Sequence, residues 1–268
     1  MKKRLVLFLA LAWIIGGFGS APARDKDTLI IAQGVDPTTM DPHNHMETPA
    51  WNVHFHLFDT LLQRDPNIKI EPLLAESYRI VNDLTWEFKL RKGIKFHDGT
   101  DFNAEAVKFN LERLISPELA SSFAFLLRGR VSAFEVVDSH TLRLRMPEPF
   151  APVLAHLSHG STGIQSPTAI RRLGAGYRDN PVGTGPYRLV KATQTALTYE
   201  RRDDWWGTKV FGVTPGPKII NFQHVGSPTS VALALAANEI DTPFIGILSL
   251  ADFKAVAARN PNVRAWYK

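Results

Sequence analysis

The 268-residue chain has no cysteine. That excludes a disulfide framework, zinc held by thiolates and a cysteine nucleophile. Charge of one sign is also scarce: 31 basic residues stand against 26 acidic ones, and no basic stripe is interleaved with aromatics, so the footprint of nucleic-acid binding is missing. There is no internal repeat and no low-complexity tract. A hydrophobic content of 44% with 21% charged residues argues against both disorder and a membrane channel. What remains is a chain long enough to bury a sizeable core, in one large domain or two modest ones.

The N-terminus is distinctive. Lys2, Lys3 and Arg4 precede an apolar run, Leu5 to Ile15, which fades into glycines and then Ala21-Pro22-Ala23. Small residues at the two positions read by a signal peptidase mark a secretory signal peptide over residues 1–23, with Ala23 the last residue removed. The run falls short of the ~20 apolar residues of a membrane span. No cysteine follows the cleavage site, so lipid anchoring by that route is excluded. The expected product is a free, exported protein with 28 basic and 26 acidic residues, a balance of +2.

One stretch, Leu84–Leu114, packs the most structure into the fewest residues. Trp86, Phe88 and Leu90 alternate with Glu87, Lys89 and Arg91, the period-two pattern of a half-buried strand. Ile94 and Phe96 resume it after Gly93, until the His97-Asp98-Gly99 turn. Asn103 stands as an N-cap ahead of Val107, Leu111, Leu114 and Ile115, spaced for a helix.

Around this stretch the pattern predicts a buried strand at Thr28–Gln33, a helix over Trp51–Leu62 and a helical turn at Pro72–Ala75. A hairpin follows, Tyr78–Val81 with Thr85–Arg91, and then a second, Phe134–Val137 with Thr141–Met146. Helices are expected at Phe150–Leu157 and Pro167–Leu173, and antiparallel strands at Tyr187–Lys191 and Ala196–Arg201. From Lys218 strands (Ile219–Val225, Ile240–Phe244, Val263–Tyr267) alternate with helices (Pro228–Ala237, Leu250–Arg259), the signature of parallel pairing in an α/β layer. Residues 24–45 and 166–268 are therefore expected to form one discontinuous α/β unit, with 46–165 as a hairpin-rich accessory domain. A last strand at Lys268 would leave an open sheet edge.

Few side chains look arranged for chemistry. His43, His45, His54 and His56 invite a metal reading, but no His-Glu-x-x-His pattern exists, and they are read as surface or second-shell histidines. Gly183-Thr184-Gly185 lacks the third glycine and the following lysine of a phosphate loop; Pro181 and Pro186 make it a rigid corner. Ser161 sits in His-Gly-Ser-Thr-Gly, which is not a nucleophile elbow. Asp203 and Asp204 beside Trp205 and Trp206 could clasp a sugar, although such tryptophans more often anchor packing. Phe244–Leu248 leaves the carboxyl end of a predicted parallel strand, where open α/β sheets bind ligands, and is either covered or faces a partner or ligand.

The signal peptide, WEFKLRKGIKFHDG at 86–99, PVGTGPY at 181–187 and ALAANEID at 234–241 occur in one order. That set closely resembles the extracytoplasmic solute-binding proteins of ABC importers, in the peptide, dipeptide and nickel family, from about Thr28 to Lys268. Ala106 departs from it, where the family helix commonly carries an aspartate. The resemblance implies a two-lobed clamshell of the type II periplasmic-binding-protein class, here its first lobe with the inserted α+β domain, and the second lobe missing. It implies a monomeric, non-catalytic protein without metal or cofactor, which hands a peptide or related small polar solute to a membrane permease. It also implies ligand contacts at Met46, Glu47 and Thr48 and at Phe244, Ile245 and Gly246. The apolar character of the second segment departs from the usual peptide binder. With one lobe, binding is expected to be weak. The competing expectations are a secreted hydrolase built on Ser161, or a truncated gene product without a transport role.

Overall fold

A computed structural model describes residues 27–45, 47–244 and 246–264. Two sheets organise them. The first is mixed and five-stranded, in the order β11-β1-β10-β9-β8. Strand β1 (Thr28–Gln33) lies between β10 (Ile219–His224) and β11 (Thr242–Pro243) and runs parallel to both. Strands β8 (Tyr187–Ala192) and β9 (Ala196–Arg201) continue it antiparallel.

The second sheet is antiparallel, β4-β5-β7-β6, built from the hairpins β4 (Ala75–Asn82) with β5 (Thr85–Leu90) and β6 (Ala133–Asp138) with β7 (Thr141–Arg145). Its inner face carries Phe88, Leu90, Leu142 and Leu144 onto helix α2 (Ala104–Ile115), which contributes Val107, Leu111 and Leu114. Asn103 caps that helix, its side chain accepting from the Ala106 N–H at 2.9 Å. On the outer face, register places Arg79, Glu87, Arg143 and Glu135 in one row across four strands. Glu87 receives both arginines at 2.8 Å, and their bonds hold its carboxyl below the usual range.

The strand β2 (Leu62–Arg64) and β3 (Ile70–Pro72) form a small separate hairpin. The remaining helices are α1 (Thr48–His54), α3 (Val153–Leu157), α4 (Pro167–Leu173), α5 (Trp206–Phe211), α6 (Pro228–Ala236) and α7 (Leu250–Arg259).

The two sequence stretches that carry the family resemblance dock on one another. The His97 backbone N–H donates to the Gly183 carbonyl, its Nδ1 accepts from the Gly183 N–H, and its Nε2–H donates to the Gly185 carbonyl. Burial pushes the His97 imidazole down to about 4, so the ring stays neutral. A Cβ at Gly183 would fall 2.0 Å from the Leu57 carbonyl oxygen, and one at Gly185 within 2.7 Å of the His56 carbonyl. These glycines serve close backbone approach. Asp98 closes its turn by accepting from Thr100 and also takes the Ser166 hydroxyl at the start of α4.

Several expectations are corrected. The helix predicted over Trp51–Leu62 ends at His54, because the chain after it must feed β2; Val53, Leu57, Phe58 and Leu61 are nonetheless all buried. Pro72–Ala75 passes from one strand to the next instead of turning helically. Ile94 and Phe96 are core residues, but pairing there is reduced to one bridge, Lys95 to Asp101. The helix expected from Phe150 begins at Val153. The strand expected at Ile240–Phe244 is shortened to Thr242–Pro243, with single backbone bonds from Asp241 and Phe244 to β1 on either side. Val263 and Arg264 are not strand, and the rest of the strand predicted there lies outside the described residues, as do residues 1–26. Helix α5 was not foreseen; its six residues are too few to show a helical period.

Candidate ligand-binding site

Because β1, β10 and β11 run parallel, their carboxyl ends share one edge of the mixed sheet, the edge where open α/β sheets take ligands. Gln33 ends β1 and is only 1% exposed. Its amide N–H donates to the Val35 carbonyl at 2.8 Å, and its amide oxygen accepts from Asn52 on α1 at 3.3 Å. Just beyond, Asp36 and His224 meet at 3.1 Å.

The segments predicted to touch ligand are both anchored to the chain around this strand end. The Glu47 carboxylate accepts from the Thr38 N–H and hydroxyl at 2.6 and 2.8 Å. Thr48 opens α1 and is exposed. On the other side the Phe244 N–H donates to the Ala32 carbonyl at 2.8 Å, extending the parallel ladder past β11. Phe244 is half-buried, and Gly246 is exposed with φ +88, a conformation that favours glycine. The Ile247 side chain lies 3.8 Å from where a Gly34 Cβ would stand. Met46 and Ile245 lie outside the described residues. Gln33, Asn52, Asp36 and His224 went unnoticed in the sequence. Only the amide closing an apolar strand hints at Gln33.

A buried polar cluster fixes the segment leading to Glu47. Asp41 accepts two bonds from the Arg113 guanidinium, at 2.6 and 3.2 Å. Burial alone would raise the Asp41 carboxyl, but the Arg113 bond and the neighbouring charges lower it overall. His43 accepts from Arg113 on Nδ1 and donates from Nε2 to the Gly163 carbonyl at 3.0 Å. His54 donates from Nε2 to the Thr39 carbonyl at 3.1 Å. Burial drives His43 to about 4 and His54 to about 3, so both are neutral props. His43, His45 and His54 are therefore core residues, which corrects their reading as surface groups. His56 is half-buried, with Nδ1 against the Asn52 carbonyl. Among the described residues no three His, Asp or Glu side chains gather as a metal-ligand group.

The hydrolase reading fails on access. Ser161 is fully buried, with its hydroxyl 3.5 Å from His45 Nε2, at the outer limit of a hydrogen bond. Asp203 and Asp204 pair with the neighbouring Arg201 and Arg202. Trp206 anchors packing, donating its indole N–H to the buried Asp59 at 3.0 Å while Thr184 donates at 2.8 Å.

Comparison with known proteins agrees with this architecture. The model of "Bacterial extracellular solute-binding proteins, family 5 Middle" matches residues 69–265. The glutathione-binding protein GsiB of Salmonella choleraesuis is 36% identical over 188 residues, 70% of this chain and 36% of that protein. The chain thus spans little more than a third of the curated relatives it matches. Among solved structures, the periplasmic binding protein DppA of Helicobacter pylori, in complex with the peptide STSA, superposes with a TM-score of 0.71 at 27% identity, covering 80% of this chain and 45% of that one. Haemophilus influenzae OppA shares the fold with a TM-score of 0.77 at 24% identity, over 88% of this chain and 49% of that one.

Proposed function

We propose, because the chain belongs to the bacterial extracellular solute-binding proteins of family 5, that it serves as the ligand-capturing component of an ABC importer for peptides or related small polar solutes. The family is extracytoplasmic and captures solutes without transforming them. In our reading, residues 1–23 direct export and are removed after Ala23, no lipid is attached, and the ligand is passed to a membrane permease by a monomeric protein. Residues 24–45 with 166–268 make the α/β unit and 46–165 the hairpin-rich one, the join being crossed by Val53, Leu57 and Phe58, which pack with Tyr187, Tyr199 and Phe222 of the mixed sheet.

The observation that carries this function is the convergence on the carboxyl edge of β1. Glu47 is tied to Thr38 just past β1, the helix that Thr48 opens meets Gln33 through Asn52, and Phe244, next but one to Gly246, bonds Ala32. An extended peptide lying there would find exposed backbone and a half-buried aromatic ring. Small-molecule pockets bury roughly 70–90% of their ligand, whereas Thr48 and Gly246 are exposed here, so weak binding by the chain alone is expected. The test is amide NMR of residues 24–268 titrated with glutathione and with short peptides. Shift changes should concentrate at Gly34, Glu47, Thr48, Phe244 and Gly246. Changes elsewhere only, or none in a folded sample, would sink the proposal.

A further inference from the structure

A second concavity, of about 520 Å³, opens away from those residues, none of which lines it. Its volume is that of an ordinary small-molecule site. Two ring clusters supply its aromatic walls, Trp51 with Phe55 and His159, and Trp205 with Phe211, and Phe58 and Asp59 also line it. The first wall is braced, since the Trp51 and His159 rings meet edge to face at 4.6 Å. The second is braced as well, with the Trp205 and Phe211 centroids 6.3 Å apart.

Asp59 is the unusual member of this lining. It is 6% exposed, and its carboxylate is held by two neutral donors, the Thr184 hydroxyl and the Trp206 indole, both on Oδ2. No ion pair among the described residues includes it. Arg202 acts on it only at longer range, and burial raises its carboxyl to about 6 despite the neighbouring donors. Buried charges in proteins are ordinarily paired. Here a buried carboxylate with no ion pair among the described residues belongs to a residue that lines an aromatic pocket, and aromatic faces attract cations through their quadrupole. The same aromatic group already seats one: the Arg91 guanidinium lies 5.9 Å from the ring centroids of Trp206 and Phe211. The other charged group on the lining, Arg64, is turned to the Ser158 hydroxyl and the Ala155 carbonyl, and His159 is neutral, with its imidazole near 4.

We propose that this pocket is a binding site for an organic ammonium group, taken between the aromatic walls with its charge toward Asp59. The test compares three probes of one shape by calorimetry on the full chain near neutral pH: benzylammonium, benzyl alcohol and benzoate. Benzylammonium should bind saturably, at least about tenfold more tightly than the alcohol, with benzoate weakest. Asp59→Asn, which keeps an acceptor for Thr184 and Trp206, should abolish the preference for the cation. Equal affinities, a preference for benzoate, or no saturable benzylammonium binding would each overturn the site. If the variant does not fold, the ranking of the three probes on the unaltered chain decides by itself.

Discussion

The hairpin sheet and the parallel end of the mixed sheet solve the same problem with unequal means. Among the described residues, the hairpin core gathers 24 buried apolar side chains, all drawn from residues 61–164. The core under β1, α6 and α7 gathers five, and around it Val35, Leu233 and Leu250 stay more than half exposed. Antiparallel hairpins close locally, through turns of two residues, whereas β1 must find β10 and β11 about 190 residues and more away. The locally closed region is a finished scaffold. The other leaves apolar surface and strand ends open where ligand capture is proposed. Most of the buried core and the strand end where binding is proposed thus sit in different parts of the fold.

The most direct way to break that contrast is to remove one core side chain from each region. Phe88 is fully buried at the centre of the hairpin sheet, and Phe88→Ala should cost about 4 kcal/mol. Val231 is equally buried in the small core, but Val231→Ala removes two methyl groups and should cost only about 2 kcal/mol. Hydrogen exchange should show the Val231 loss confined to β1, β10, α6 and α7. If it lowered protection equally across β4–β7, the two regions would be one cooperative unit and the contrast would fail.

Acid should sharpen the comparison by attacking the join. His43, His54 and His97 are held at about 4, 3 and 4, while the unfolded chain protonates near 6.5. Between those limits the unfolded state binds more protons, so stability is lost as pH falls from about 6.5 toward 4 and then levels off. Asp59 opposes this, because its raised pKa of about 6 makes the folded state the better proton acceptor below that value. Three groups against one leave a net loss on the order of 7 kcal/mol by pH 4. Urea unfolding measured across that range checks it, and a flat profile would refute the role given to the buried histidines.

How much of this was legible in the sequence follows from the range of the interactions. Trp86, Phe88 and Leu90, the turn at Asn82-Asp83 and the cap at Asn103 are local signals, and the hairpins and α2 formed where those signals placed them. Strand β11 is two residues long because tertiary pairing alone defines it: Asp241, next to it, reaches the Ile30 N–H across 211 positions. The histidines misled because nothing local shows that His43 will meet Gly163 or Arg113. At the candidate site, Glu47 came from family resemblance, while Phe244 was marked both by that resemblance and by its place after a predicted parallel strand. Gln33 and Asn52 became visible only when α1 was seen against the strand end.

The smallest expected effect tests the contrast most finely. Helices α2 and α7 both carry a side-chain N-cap. Asn103 accepts from Ala106, while Ser249 and Asp252 form a reciprocal box in which the serine oxygen accepts the Asp252 N–H at 3.1 Å. Either cap replaced by alanine should cost about 1 kcal/mol. The consequences should nonetheless differ, because α2 buries six residues against the hairpin sheet and α7 buries Val256 alone. Asn103→Ala should lower the global unfolding midpoint, since α2 opens only when the scaffold does. Ser249→Ala should leave that midpoint nearly unchanged and speed exchange within α7, whose opening needs little more than its own turn energies. Equal shifts of the global midpoint in the two variants would mean that α7 is as firmly built in as α2.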